Sequence, residues 1–377
     1  MMFDYLVVGN GMIGAAAGRY LSEQSAKVAL VGPDEPKNWA THQGVFASHY
    51  DQGRITRILD SRLAWGEWAK ASIAVYEDIE QRSGIRFYYP VGLVQAGPEG
   101  DYITAVSTVG KQLEATFTAS TAEQFKSIYP ALQFPAHCQC LLETGTAGYV
   151  NPRSLVAAQL KLATQQGATV IRQTVTAVQP TATHVNVQTD HGQTLQARKV
   201  LIAAGAYSNR LLEQKQPFIL KPRTILLAEV SDSELERLAN LPSIIYYDGA
   251  LHKDVEGIYM LPPIRYPNGR YYLKIGGDLK GLVSPDSDEA LLDWFHGQGN
   301  QREADGLRDV MEMIVPNLKA DRFEQRPCVV TYTPDRYPLL DTILADQIYI
   351  AAGGCGAAAK SSNEIGRLAA MKVMAAD

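Results

Sequence analysis

The chain lacks most features that mark secreted, membrane or nucleic-acid-binding proteins. It has only four cysteines in 377 residues, and Cys138 and Cys140 have no second ligand pair at zinc spacing. We therefore expect free thiols, a cytoplasmic protein and no metal site. No apolar run approaches the roughly 20 residues of a membrane span, and no basic N-terminal region predicts a signal peptide. The formal net charge of −5 gives no electrostatic reason to expect a nucleic-acid partner.

What the sequence does have is a glycine pattern typical of a dinucleotide-binding turn. Residues 5–8 (YLVV) form an apolar run that predicts a buried strand. Gly9, Gly11 and Gly14 follow in the spacing G-x-G-x-x-G. Gly9 permits a tight turn, Gly11 lets the backbone approach a pyrophosphate, and Gly14 lets the next helix pack on the strand. The free amides at the start of that helix, which would bind the pyrophosphate, include those of Met12 and Ile13.

One usual part of this motif is missing. An acidic residue normally ends the second strand and binds the adenosine ribose. Here Gly32 stands at that place, and the next acids are Asp34 and Glu35. Either Asp34 contacts the ribose, or a backbone group replaces the acid, or both acids are solvated loop charges.

The order of apolar segments predicts an α/β protein of two domains. Buried strands are predicted at 27–31, 199–206 and 347–352, and Gly205 marks a place where backbone meets cofactor. The predicted helices are 61–83, 153–167 and 362–375. This order predicts a discontinuous, Rossmann-like nucleotide domain. It also predicts a second, α+β substrate domain, which is built on a mostly antiparallel sheet with a hairpin at 266–272. The predicted boundaries are 1–84, 150–218 and 334–377 for the nucleotide domain, and 85–149 and 219–333 for the substrate domain.

Four motifs, in this order along the chain, carry a resemblance to a known family. They are SHYDQGRITR (48–57), YLKIG (272–276), CVVTYTPD (328–335) and GGCGAAAKSS (353–362). With them the whole chain resembles the FAD-dependent D-amino-acid oxidase superfamily, and within it the monomeric sarcosine oxidase group of amine oxidases. The resemblance implies that FAD is the dinucleotide bound by the glycine turn.

The resemblance also implies two roles beside the flavin ring. Cys328, just before a T-x-T-P-D run, corresponds to a cysteine that bonds covalently to the flavin 8-methyl carbon, which requires a thiolate. Its alternative is a buried strand cysteine. Lys274 corresponds to a lysine that assists the reaction with oxygen, where a fixed ammonium stabilises developing negative charge. Its alternative is an outward-pointing strand residue.

Further cationic residues are implied to lie near the flavin and the substrate. Arg57 and Lys360 correspond to a pair that binds the substrate carboxylate, for which a guanidinium is well suited, and Arg54 to a residue at the flavin pyrimidine edge. The alternative is that all three are solvated charges. Tyr259 retains an aromatic wall of the substrate pocket. The remaining residues predicted to contact the cofactor are Ser48, His49, Gly354 and Gly356, and for His49 a satisfied loop histidine is the alternative.

The chain departs from the family pattern in the substrate pocket. Val330 stands where an aromatic is expected, and Ala357 and Asp278 stand where histidines are expected. Because two large groups have become small, we expect a substrate larger than sarcosine.

These residues together predict an FAD-dependent oxidase of an amino acid or N-alkyl amino acid, with oxygen as acceptor and hydrogen peroxide as product. One alternative is a dehydrogenase for amino acids or 2-hydroxy acids that passes electrons to a quinone or carrier. A second alternative is a non-catalytic flavin-binding subunit.

Overall fold

The computed structural model describes residues 2–279, 281 and 283–375. In this part of the chain the strands are β1 (Met2–Val8), β2 (Val28–Val31), β3 (Arg54–Thr56), β4 (Tyr88–Tyr89), β5 (Leu93–Pro98), β6 (Phe117–Thr121), β7 (Cys138–Glu143), β8 (Gly148–Val150), β9 (Thr169–Ile171), β10 (Val175–Pro180), β11 (Val185–Thr189), β12 (Thr194–Ile202), β13 (Ile219–Val230), β14 (Ser243–Tyr247), β15 (Val255–Arg265), β16 (Tyr271–Leu279), β17 (Ala320–Tyr332), β18 (Leu339–Leu344) and β19 (Ile348–Ala352). The helices are α1 (Met12–Ser22), α2 (Leu63–Ile73), α3 (Tyr76–Ser83), α4 (Asp101–Gln112), α5 (Ala122–Ile128), α6 (Pro152–Gln165), α7 (Asp232–Arg237), α8 (Asp288–His296), α9 (Gln301–Ile314) and α10 (Ala358–Met374), and a 3₁₀ helix spans Gly205–Leu211.

The first sheet draws its strands from three distant parts of the chain. Its order is β10-β11-β12-β1-β2-β9, and β19 pairs with β12 and with β18. β1 runs parallel to β2 and β12, and β2 runs parallel to β9. Every residue of β2 is buried, as expected of a parallel strand covered on both faces. Helices α1, α6 and α10 pack their small and branched side chains on one of these faces.

The second sheet is mostly antiparallel and lies in the order β17-β13-β16-β15-β14-β5-β7-β6. Of its described strand pairs, only β14 and β5 run parallel. The hairpin between β15 and β16 turns at Gly269, whose φ of +83° lies in the left-handed region that favours glycine. Helix α9 covers this sheet with an apolar stripe at the helical period, namely Leu307, Val310, Met311 and Ile314.

A small third sheet has the order β3-β8-β4. Its central strand β8, just before α6, pairs antiparallel with β3 and with β4. Its strand β3 carries Arg54 at its first position, so the sheet fixes the backbone of one predicted flavin contact. The mixed α/β architecture confirms the predicted fold class.

The structure differs from the sequence prediction at two helices. The segment 61–83 is two helices, because the chain leaves helical geometry at Val75, with φ −113° and ψ 1°. Tyr76 then begins α3 and packs edge-on against Phe87, with ring centroids 5.3 Å apart. The last helix begins at Ala358, four residues before the predicted start. Among the residues described, no helix combines the length and apolarity needed to cross a bilayer.

Candidate active site

A cavity of about 1750 Å³ lies between the first and second sheets. Its lining joins the glycine turn after β1, the loop before β3, the end of β17 and the turn before α10. The predicted site residues that line it are Gly9, Gly11, Met12, Ile13, Ser48, His49, Arg54, Arg57, Gly205, Tyr259, Cys328, Gly354, Gly356 and Lys360. Gly14, Asp34 and Lys274 do not belong to this lining.

The glycine turn fits a dinucleotide pyrophosphate. Gly9 has φ +110°, and a Cβ on it would lie 2.3 Å from the carbonyl oxygen of Ala203. Gly11 precedes α1 without a side-chain cap, which leaves the first amides of the helix available to an anion. A Cβ on Gly14 would lie 1.9 Å from the carbonyl oxygen of Gly9, so Gly14 sets the close packing of helix on turn. The buried Oδ1 of Asn10 has no hydrogen-bond partner among the described residues, so it is available to accept a hydrogen bond from a nucleotide.

The structure explains why no acid ends β2. A Cβ on Gly32 would lie 2.8 Å from the backbone nitrogen of Asn10, whose Nδ2 donates to the Gly32 carbonyl oxygen at 3.1 Å. The two acids that follow are paired elsewhere. Asp34 contacts Arg172 at 2.8 Å on the surface, and Glu35 pairs with Arg153 at 2.6 Å. The geometry therefore leaves Asp34 away from the cavity.

Lys274 is held inside the protein, beneath the cavity wall. It is fully buried, and its Nζ donates to Asp51 Oδ2 at 2.5 Å and to the Gly53 carbonyl oxygen at 2.6 Å. Burial lowers the pKa of Lys274 to about 8, although the Asp51 charge opposes this shift and the Arg54 charge adds to it. Burial acts against the Asp51 carboxylate, but Lys274 and Arg54 outweigh it and hold the pKa of Asp51 below its usual value.

Arg54 links this buried pair to Cys328. Its Nη2 lies 3.3 Å from Asp51 Oδ2 and 3.5 Å from Cys328 Sγ, and its Nη1 lies 3.5 Å from the hydroxyl of Tyr259. Cys328 is held in place from behind, because Trp294 donates to its carbonyl oxygen at 2.9 Å. The sulfur therefore sits in the cavity wall beside a fixed positive charge.

Arg57 and Lys360 meet at one carboxylate. The Oδ2 atom of Asp60 lies 3.1 Å from Arg57 Nη2 and 2.8 Å from Lys360 Nζ. Burial lowers the pKa of Lys360 to about 8 against the opposing charge of Asp60. Burial also acts against the Asp60 carboxylate, yet Lys360 and Arg57 hold its pKa below its usual value. Glu143, behind them, accepts the backbone amides of residues 58 and 59, and burial raises its pKa. The Nε of Arg57 is buried with no hydrogen-bond partner in the described part of the chain, so it is available as a donor to an anion.

The remaining predicted residues frame the cavity. Ser48 donates to the carbonyl oxygen of Val329 at 3.3 Å. Burial, with a contribution from the Arg153 charge, lowers the pKa of His49 to about 3, so its ring is uncharged at neutral pH. Gly205 and Gly356 both have positive φ, +58° and +76°.

The site contains a polar wall of which the sequence analysis named only Asp278, as a departure from the family pattern in the substrate pocket. Arg223, on β13 directly opposite Cys328, pairs with Asp278 at 2.5 Å. Tyr247 and Tyr332 line the cavity beside this pair. A signal for Asp278 existed, because it stands four residues after Lys274 in one strand and therefore shares its face.

Asp60 and Asp51 are two further site residues that the sequence analysis missed. Asp60 stands three residues after Arg57, a spacing that signals the pair, whereas Asp51 meets Lys274 only through the tertiary fold.

Comparisons with known proteins bear on the whole chain. The family model described as FAD dependent oxidoreductase matches residues 4–371. A monomeric sarcosine oxidase of Bacillus sp. (strain NS-129) is 26% identical over 97% of this chain and 91% of its own length. An N-methyl-L-tryptophan oxidase of Yersinia pestis (strain Pestoides F) is 25% identical over 56% of each chain. The solved structure of NikD, described as an unusual amino acid oxidase essential for nikkomycin biosynthesis, has a TM-score of 0.78 at 20% identity and covers 99% of this chain and 94% of its own.

Proposed function

Because the chain belongs to the FAD dependent oxidoreductase family, we propose that it oxidises the C–N bond of an amino acid or N-alkyl amino acid larger than sarcosine. The imine product is hydrolysed by water, and oxygen accepts the two electrons to give hydrogen peroxide. The observation that carries the proposal is that one cavity joins the glycine turn to the Arg57–Lys360 pair. The named relatives, a sarcosine oxidase and an N-methyl-L-tryptophan oxidase, support the choice of an amine substrate.

The chain's own residues divide the work of binding. The turn at Gly9 and Gly11 and the start of α1 hold the FAD pyrophosphate, and FAD supplies the two-electron acceptor for the C–N bond. Arg57 and Lys360 would bind the substrate carboxylate and so fix the position of the amine carbon, and such orientation supplies much of the rate. Asp60 holds both cations in place until the carboxylate arrives.

The size of the substrate is part of the proposal. Val330 and Ala357 line the same cavity as Arg57 and Lys360 and have small side chains. Space of this kind favours a substrate that fills it, by about 0.8 kcal/mol for each buried methylene.

The covalent bond from Cys328 to FAD and the oxygen role of Lys274 are also proposed. The first is supported by the position of the Cys328 sulfur, which lies in the cavity wall 3.5 Å from Arg54 Nη2. The inward, fully buried position of Lys274 supports the second.

One observation favours the alternative of a carrier-linked dehydrogenase. The Lys274 charge is paired with Asp51 at 2.5 Å, which reduces the positive field available to oxygen.

The test is steady-state oxidation of a panel of amino acids and N-methyl amino acids, followed by oxygen uptake and by peroxide. We expect peroxide in equal amount to the amine oxidised, and a large rise in KM for carboxylates in Arg57→Met. A neutral amine analogue should be little affected, and Arg308→Met, at an exposed arginine of α9, should match the native protein. Turnover with a quinone but not with oxygen would select the dehydrogenase. If Arg57→Met raised KM equally for carboxylates and for neutral amines, the role of Arg57 in binding the carboxylate would be refuted.

A further inference from the structure

The polar wall of the cavity is built around one buried arginine. Arg223 is nine-tenths buried, and its donors are committed within the protein. Nη1 donates to the carbonyl oxygen of Pro222 at 3.1 Å, and Nη2 lies 2.5 Å from Asp278 Oδ1. Arg223 therefore acts mainly to hold Asp278 and to balance its charge.

Asp278 is the member of the pair that faces the cavity. Its side chain is 34% exposed, against 11% for Arg223. Among the residues that the structure describes, its second oxygen has only the Tyr247 hydroxyl at 3.5 Å, beyond a good hydrogen bond. A carboxylate offers about four acceptor positions, so Asp278 has acceptors left for a ligand.

This wall lies close to Arg57 and Lys360, the pair proposed to bind the substrate carboxylate. The rings of Tyr247 and Tyr102 are 5.0 Å apart. Burial raises the pKa of both hydroxyls, and the positive charge of Arg57 partly offsets the rise in each case. Arg57 therefore acts on Tyr247, whose hydroxyl lies 3.5 Å from Asp278, and all three residues line the same cavity.

The charge of the wall limits what it can bind well. The Arg223 and Asp278 charges cancel, so a charged group would lose hydration without a net opposite charge to meet. An uncharged group that both donates and accepts hydrogen bonds can bind the Asp278 oxygen that has acceptor positions left and the Tyr247 hydroxyl. Glu303, behind Arg223, is fully buried, and burial raises its pKa to about 7, so it adds little negative charge in mildly acidic solution.

We propose that the side chain of the substrate ends in an uncharged hydrogen-bonding group, a hydroxyl or a primary amide, which donates to Asp278 and accepts from Tyr247. The inference rests on the proposed function for the position of the carboxylate. It adds a polar recess to the small side chains of Val330 and Ala357 as a second determinant of specificity.

The first experiment measures binding to the FAD-loaded protein without turnover. The probes are α-methoxy acids, in which an ether oxygen replaces the oxidisable nitrogen, carrying the side chain of glutamine, of its alkyl isostere homoleucine, or of glutamate. Titration calorimetry should give an affinity for the amide at least about tenfold above that for the alkyl and the carboxylate probes, because a site with buried polar groups rejects a ligand that leaves them unpaired. Equal affinity for the amide and the alkyl probe would overturn the proposal.

The second experiment changes the charge of the wall. In Asp278→Asn the Arg223 charge is no longer balanced, so the preference should move by at least about tenfold toward the glutamate-like probe. Asp321→Asn, at an exposed position of β17 outside the cavity lining, is the matched control and should keep the native preference. An unchanged preference in Asp278→Asn would overturn the proposal.

These outcomes separate the subsite from the oxidase activity. If the amide probe binds through Asp278 but no amine reduces the flavin, the subsite stands and the proposed function falls. If amines reduce the flavin and the alkyl side chains are preferred, the proposed function stands and the subsite falls. If none of the probes binds, the subsite is refuted.

Discussion

The thiol of Cys328 lies in the cavity wall, 3.5 Å from Arg54 Nη2, and we have proposed that it bonds to the flavin. We expect the yellow colour to stay with the polypeptide after acid precipitation, and Cys328→Ala to release it into the supernatant. Cys355→Ala is the matched control, because Cys355 also lines the cavity. Full release from the native protein, or release from the Cys355 variant alone, would contradict the bond to Cys328.

The buried pair of Lys274 and Asp51 makes a prediction about reoxidation. In Lys274→Met, reaction of the reduced protein with oxygen should slow about a hundredfold, since one fixed charge at a developing anion contributes roughly 3 kcal/mol. Reduction by substrate should change much less. Stopped-flow measurement of the two half-reactions checks this, and equal losses in both would show that Lys274 is no dedicated oxygen site.

The Asp51→Asn variant tests the same pair through pH. Asp51 opposes the lowering of the Lys274 pKa by burial, so its removal lowers that pKa further below 8. A lysine is charged only below its pKa. Fast reoxidation should therefore be lost at neutral pH and recover as the pH falls. A pH profile identical to that of the native protein would contradict this coupling.

Lys360 gives a pH dependence of substrate binding. Its pKa of about 8 results from burial, opposed by Asp60 and aided by the Arg57 charge. Above pH 8 the ammonium loses its proton, so KM for a carboxylate substrate should rise relative to KM for its neutral amide analogue. Each KM is expressed for the unprotonated substrate, using the amine pKa measured for that compound, because a carboxylate substrate and its amide titrate at different pH. Lys360→Met should abolish the inflection, and an inflection that persists in this variant would assign it to another group.

At the scale of elements, two glycines of the β1–α1 turn have separable roles. A Cβ on Gly14 meets the carbonyl oxygen of Gly9 at 1.9 Å, whereas the nearest atom to a Cβ on Gly11 is His49 Nδ1 at 3.8 Å. Gly14→Ala should therefore destabilise the FAD-free protein by about 1–3 kcal/mol, as overpacking does. Gly11→Ala should leave its stability unchanged and weaken FAD binding.

Thermal unfolding and FAD titration of the two variants check this prediction. Both are best made in the Cys328→Ala background, so that FAD can be removed. Equal destabilisation by the two substitutions would contradict the separate roles.

Much of the element order follows from local patterns in the sequence. The strand at 347–352 and the hairpin at 266–272 are present because a continuous apolar run and an Asn-Gly turn are strong local signals. The break at Val75 has no such signal, because it accompanies the packing of Tyr76 on Phe87, which lies beyond the end of α3.

In the site, too, some features follow from local sequence patterns and others only from the tertiary structure. The glycine turn is readable because its chemistry is contiguous. The partners Asp51 of Lys274 and Arg223 of Asp278 come from other elements, so only the fold reveals them. The Cβ contact at Gly32 likewise depends on tertiary structure, which is why the missing acid had no explanation in the sequence.

At the scale of the whole molecule, the family match over residues 4–371 confirms the predicted D-amino-acid oxidase type and the FAD-dependent oxidoreductase class. The sarcosine oxidase relative agrees with the group named from the motifs. The division at 84, 150, 218 and 334 into two domains stays a prediction, as does the cytoplasmic location. The first sheet takes its strands from within the three predicted nucleotide segments, which supports that division.

The most direct test of the central claim is anaerobic reduction of the FAD-loaded protein by amines. A panel of amino acids and N-methyl amino acids is mixed with the protein without oxygen, and the flavin absorbance at about 450 nm is followed. We predict complete bleaching by one equivalent of a carboxylate-bearing amine larger than sarcosine, faster than by sarcosine, with colour and peroxide appearing when air is admitted. If dithionite bleaches the flavin and no amine of the panel does, the account of the protein as an amine oxidase is wrong.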